Sequence, residues 1–171
     1  MVLIKALCAL AVIAGGIYIG LGEVRTLKYR VRLLRQLSES LSYIKSEIAF
    51  TLAPMSRIFE RLAESGGRTV REFYKNCLDL LRSGRPMDES WEECLWKYFA
   101  DKLRPDEIEC LCEAGRVLGR SDAESQCMAL DALRERIGAY VSSAENDRMR
   151  LGKLYCAMGA FVSAAIVIVL I

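Results

Sequence analysis

The residues that most often carry out chemistry are absent from this chain or wrongly spaced for it. The sequence holds no histidine, which removes at once the commonest general base near neutral pH and the commonest metal ligand. Its seven cysteines are Cys8, Cys77, Cys94, Cys110, Cys112, Cys127 and Cys156, an odd number with no pair spaced as Cys-x-x-Cys. Cys110 and Cys112 are two residues apart, so on a helix they point in different directions and do not jointly hold a metal. The reading that fits is reduced thiols packed as small hydrophobes, which suits a reducing cytosol. A Gly-rich phosphate loop, a Gly-x-Ser-x-Gly elbow and a metal-binding helix motif are all missing. Paired carboxylates at helical i, i+4 spacing are ordinary surface charges, and nothing specific supports glycosidase-like chemistry. The expectation is a protein without catalysis, cofactor or metal.

What remains is electrostatic. Between Asp88 and Glu113 the acids are Asp88, Glu89, Glu92, Glu93, Asp101, Asp106, Glu107, Glu109 and Glu113, answered only by Lys97, Lys102 and Arg104. Either this is a solvated helix face, or Glu92, Glu93, Glu107 and Glu109 form a docking surface for a basic partner, steered by charge. A second candidate contact is Asp122 with Gln126, four apart and so on one face of a helix. The alternative there is structural: Gly119 closes one helix with a positive φ, and Ser121 with Glu124 opens the next as a capping box. Trp91 sits at core spacing, which favours packing over an interface anchor.

The elements that must position these residues are helices. Val24, Leu27, Val31, Leu34, Leu37, Leu41, Ile44 and Ile48 recur at steps of three and four, one apolar stripe on a long helix that Thr51 and Pro54 end. A short helix carries Met55, Ile58, Phe59 and Leu62 up to the Ser65-Gly66-Gly67 break. The next, from Thr69 to Arg82, buries Val70, Phe73, Tyr74, Cys77 and Leu81 and stops at Ser83-Gly84-Arg85-Pro86. Asp88 reads as the cap of a helix with Trp91, Cys94, Leu95 and Tyr98 inside. Pro105 suits the first turn of another, which Asp106 and Glu107 stabilise at its positive end and which buries Ile108, Leu111, Cys112, Gly115 and Leu118. The last helix repeats apolar positions from Ala123 through Cys127, Leu130, Leu133, Ile137, Tyr140 and Ala144 to Leu151. No two-residue alternation occurs, so the fold class is all-α: a helical-bundle head on a two-helix stalk.

Both ends are greasy. Residues 1–22 and 154–171 are apolar apart from Lys5 and approach the roughly 20 residues a bilayer helix needs, so each is expected to be a transmembrane helix flanking a domain at 23–153. A cleaved signal peptide also begins with a basic residue and an apolar core, but here no polar cleavage region follows. Small residues (Gly15, Gly16 and Gly20; Ala157, Gly159 and Ala160) suit close packing of the two spans in lipid. Arg25, Lys28, Arg30, Arg32 and Arg35 follow the first span, and Arg148, Arg150 and Lys153 precede the second. Basic flanks mark the cytoplasmic side, which puts the middle domain in the cytosol and both termini outside. With 24 basic and 22 acidic residues the net charge is only +2, which argues against nucleic acid as a partner.

Four stretches stand in a distinctive order between the two greasy ends: Glu47-Ile48 with Pro54 beyond, Glu60-Arg61-Leu62-Ala63, Glu89-Ser90-Trp91-Glu92-Glu93, and Leu118-Gly119-Arg120-Ser121-Asp122-Ala123-Glu124-Ser125-Gln126. In these the chain resembles the stage III sporulation protein AB family of endospore-forming bacteria. The resemblance implies a membrane component of the channel-like complex between mother cell and forespore, with the head on the mother-cell side of the outer forespore membrane. It also implies likeness to the cytoplasmic domains of the inner-membrane platform of type II secretion and type IV pilus systems. By that analogy the partners are the cytosolic secretion-type ATPase, the sporulation AA protein, and the other components of the complex. The secretion platform usually carries two heads and three spans where this chain has one head and two, a difference that a homo-oligomer would make up. The other reading is a generic membrane-anchored helical adaptor or sensor unrelated to sporulation.

Overall fold

The computed structural model describes the backbone of residues 2–51, 53–118 and 122–170, and the side chains of residues 22, 24–51, 53–118, 122–154, 157 and 158. Among the described residues there are six helices and no strand, in keeping with the all-α expectation. They are α1 (Val2–Thr51), α2 (Met55–Glu64), α3 (Arg68–Arg82), α4 (Met87–Phe99), α5 (Pro105–Val117) and α6 (Ala123–Leu170). The chain divides into two compact units: Met1–Val31 with Ser143–Ile171, and Arg32–Ser142.

Local chemistry accounts for the breaks. Pro54, at φ −63° and ψ 143°, holds extended backbone before α2, since its ring fixes φ. Gly66 and Gly84 take φ of +83° and +87°, a region open to glycine without the Cβ penalty. Asp88 is not the cap expected of it: Pro86 precedes α4, and Asp88 and Glu89 lie in the first turn. There their charge still favours the helix through its dipole.

In Arg32–Ser142 the core draws on all six helices. α3 packs on both α2 and α4, and α4 also on α5, so the buried faces are wider than a single stripe. Leu78 is therefore buried, while Leu81, expected inside, is only half-buried; Phe99 is likewise buried, and Tyr98, expected inside, is half-buried. Phe73 is edge-on to Tyr74 at 4.9 Å and to Trp91 at 5.1 Å, and Phe99 and Phe59 complete the cluster. Such pairs contribute about 0.5–1.5 kcal/mol each beyond their burial. Trp91 is 1 % exposed, and its Nε1–H donates to the Leu111 carbonyl at 2.8 Å. It packs, as its spacing indicated. The ring reaches α5 through a notch at Gly115, where a Cβ would lie 2.6–2.9 Å from Trp91 Cδ1, Cγ and Cβ. Lys45 of α1 pairs with Asp131 of α6, and the Cys127 thiol donates to the Lys45 carbonyl.

In the other unit α1 and α6 run antiparallel. Gly152 faces Val24, with 3.7 Å from a built Cβ to the valine methyl, and Arg30 donates to Asp147 at 3.2 Å. Moving up α1 from Val24 to Arg30 thus moves back along α6 from Gly152 to Asp147. The helical backbone runs to Val2 at one end and Leu170 at the other. Most side chains of the expected spans 1–22 and 154–171 lie outside the described residues, as do Gly119, Arg120 and Ser121 of the expected corner. Among the described residues no helix is long and apolar enough to cross a membrane.

The Gly115 notch makes a direct test. A methyl there must push into the rigid indole, straining the core by about 1–3 kcal/mol, against at most about 1 kcal/mol gained in helix propensity. Gly115→Ala is expected to lower the thermal midpoint by several degrees while leaving far-ultraviolet circular dichroism unchanged.

Candidate docking surface

The four glutamates expected to form one acidic face have separate fates. Glu92 on α4 and Glu109 on α5 are exposed and share an open depression of 340 Å³ with Trp96, Cys112, Glu113 and Arg116. Neither has an ion-pair partner among the described residues, whereas Glu113 is held by Arg136 of α6. Glu93 is exposed but paired with Arg85, in the turn before α4.

Glu107 does not belong to the surface. It is 1 % exposed, and its carboxylate accepts the Arg104 backbone N–H at 2.8 Å, one half of the capping box that opens α5. Position N3 directs a glutamate back over the helix start, where a free donor needs an acceptor. Its expected role in docking is corrected to a structural one.

Trp96 was not singled out from the sequence. It is 39 % exposed, five residues past Trp91 and so off the buried stripe; an aromatic off-stripe among acids was the available signal. Burial pushes the Cys112 thiol at the floor of the depression up to about 11, with the Glu92 carboxylate reinforcing that rise. The thiol stays protonated at neutral pH and offers no nucleophile. Cys77, Cys94 and Cys110 are free and buried too, and burial pushes the Cys77 thiol up strongly. Among the described residues no three acids or cysteines gather closely enough for a metal.

The structure does not bring Asp122 and Gln126 to one contact face. Asp122 Oδ2 accepts the Ser125 backbone N–H at 3.0 Å, the geometry of an N-cap just before α6. That hydrogen bond is the main reason its carboxyl titrates below the ordinary value. Gln126 is only 8 % exposed. Asp122 therefore occupies the capping position expected of Ser121, and one turn of helix carries Gln126 inward.

Two of the stretches that carry the resemblance meet across consecutive helices. Arg61 of α2 reaches Glu47 of α1 at 3.1 Å and the Tyr43 hydroxyl at 3.3 Å. Glu60 of the same helix pairs with Arg82 of α3. The stretches Glu47-Ile48 and Glu60-Arg61-Leu62-Ala63 thus contribute a cross-link between helices, through side chains that remain partly exposed.

Known proteins agree with this architecture. The sequence model for stage III sporulation protein AB matches residues 5–171. Stage III sporulation protein AB of Bacillus subtilis (strain 168) is 23 % identical over 171 residues, covering 99 % of each chain. A solved structure of stage III sporulation protein AB superposes with a TM-score of 0.66 at 26 % identity, over 71 % of this chain and 98 % of that one. The chain belongs to the stage III sporulation protein AB family.

Two substitutions separate capping from contact. Glu107→Ala removes the acceptor of the part-buried Arg104 N–H and is expected to cost about 0.5–2 kcal/mol, the usual worth of a helix-start cap, measured by denaturant unfolding. Asp122→Ala is expected to lower the thermal midpoint at pH 7. The depressed carboxylate stabilises the fold while ionised, above its unfolded-state pKa, and that contribution is lost as pH falls through the folded-state pKa. The gap between wild type and Asp122→Ala should therefore close below the ordinary carboxylate range; a gap independent of pH contradicts the assignment.

Proposed function

We propose that this protein is a non-enzymatic membrane platform in endospore formation, and that its head recruits a secretion-type ATPase through the α4–α5 depression. The observation that carries this is the pair of unpaired carboxylates, Glu92 and Glu109, beside the exposed Trp96. Two fixed negative charges around a half-exposed indole suit a partner's Lys or Arg: the carboxylates attract the cation, and the ring face adds a cation–π contact. Arg116 on the rim rejects a second cation at its own end, which gives the site a direction. Helices α4 and α5, clamped by the Trp91 core, hold the three side chains on firm backbone.

Family membership favours sporulation over a general adaptor or sensor. In the proposed arrangement residues 1–22 and 154–171 span the outer forespore membrane. The positively flanked middle of the chain faces the mother-cell cytosol, where the ATPase is available, and copies of the chain assemble around it with the other components of the complex. The absence of histidine from the whole sequence agrees with a scaffold.

The test is a binding titration of the full chain, in detergent, against a candidate secretion-type ATPase. Glu92→Lys with Glu109→Lys is expected to weaken binding by roughly ten-fold or more and to flatten its salt dependence. Their exposure predicts no change in the thermal midpoint. Unchanged affinity removes the docking assignment.

A further inference from the structure

The antiparallel register of α1 and α6 gathers cations that the sequence keeps more than a hundred residues apart. Val24 stands opposite Gly152, and Arg30 reaches Asp147. Arg25 and Lys28 therefore lie between those two levels on α1, while Arg148 and Arg150 lie between them on α6, with Lys153 one step beyond. At about 1.5 Å per residue the band is about 10 Å deep. All five cations are exposed, and none has an ion-pair partner among the described residues. Of the acids in the same stretches, Asp147 is engaged by Arg30, and Glu145 also has an interaction of its own.

A second observation is independent of charge. Four of the exposed large hydrophobic residues, Tyr29, Met149, Leu154 and Met158, belong to this unit, at 37 %, 55 %, 51 % and 52 % exposure. Tyr29 and Met149 sit within the cation band; Leu154 and Met158 follow it, where the sequence turns wholly apolar. Cations interleaved with outward-facing apolar and aromatic groups, giving way to apolar side chains along the axis, fit the boundary of a lipid bilayer. A nucleic acid would leave Leu154 and Met158 in water, whereas a bilayer covers them and meets the cations with phosphate at the same level.

We infer that this band is a collar for anionic phospholipid, Arg25, Lys28, Arg148, Arg150 and Lys153 engaging headgroup phosphates while Tyr29 and Met149 enter the interface. The inference rests on the membrane placement proposed above and adds lipid selectivity to it. Each cation near an anionic surface contributes about five-fold in partitioning, so five give strong discrimination between anionic and zwitterionic lipid. Binding would thereby follow local anionic-lipid content.

The experiment follows thermal unfolding of the full chain in neutral detergent with added phosphatidylglycerol, phosphatidylcholine or inorganic phosphate. Phosphatidylglycerol should raise the midpoint, with the rise abolished by about 0.5 M salt, and the other two should not. The variant R25Q/K28Q/R148Q/R150Q/K153Q should lose the response. Should that variant fail to fold, K28Q/R150Q should still need roughly 20-fold more phosphatidylglycerol for the same rise. Equal rises with both lipids, or a rise with inorganic phosphate matching that with lipid, overturn the collar. Carbonate-washed membranes separate the two failures. A chain that stays in them yet ignores phosphatidylglycerol refutes the collar and leaves the platform standing; a chain absent from them refutes the membrane placement and the collar together.

Discussion

Trp91 reaches the α5 backbone because Gly115 has no side chain. The indole N–H is satisfied on the Leu111 carbonyl, and its faces and edges meet Phe73, Tyr74 and Phe59. One residue thereby ties four of the helices in Arg32–Ser142 together: α2 and α3 through rings, α4 by its own backbone, α5 by the notch. Interiors packed to crystal-like density transmit a local misfit to their neighbours. The positions of Glu92, Trp96 and Glu109 follow from this contact, since they project from the outer faces of the two helices that Trp91 and Gly115 lock together.

Carboxylates on this scaffold divide by what surrounds them. Glu107 is spent on a helix start, Glu93 and Glu113 on arginines, and Asp122 on the first turn of α6. Glu92 and Glu109 keep an open field, with the exposed Trp96 ring at hand. A surface charge that is already paired contributes little to steering, because its partner cancels it at a distance. The open acidic field is thus smaller than the acidic run, and more directional.

The other unit works through register. The Arg30–Asp147 pair and the Gly152–Val24 contact fix which turn of α1 faces which turn of α6. Breaking a part-buried pair leaves one charge without compensation, so the alignment is resistant to slippage. That alignment is what converts two basic stretches into one band.

The sequence by itself determined the helical class, the breaks at Pro54, Gly66, Gly84 and Pro86, the burial of Trp91 and the family. Each of these is written in neighbours along the chain: period, proline, glycine, cap. Tertiary structure alone decided which residues of the acidic run remain available. Burial of Glu107, pairing of Glu113 with Arg136 twenty-three residues on, and exposure of Trp96 all depend on which helix lies alongside. The same holds for Leu78 and Phe99, buried because α3 and α4 are covered on two sides and not one. Periodicity reports one apolar face per helix, whereas the number of neighbours a helix acquires is set only when the chain has folded.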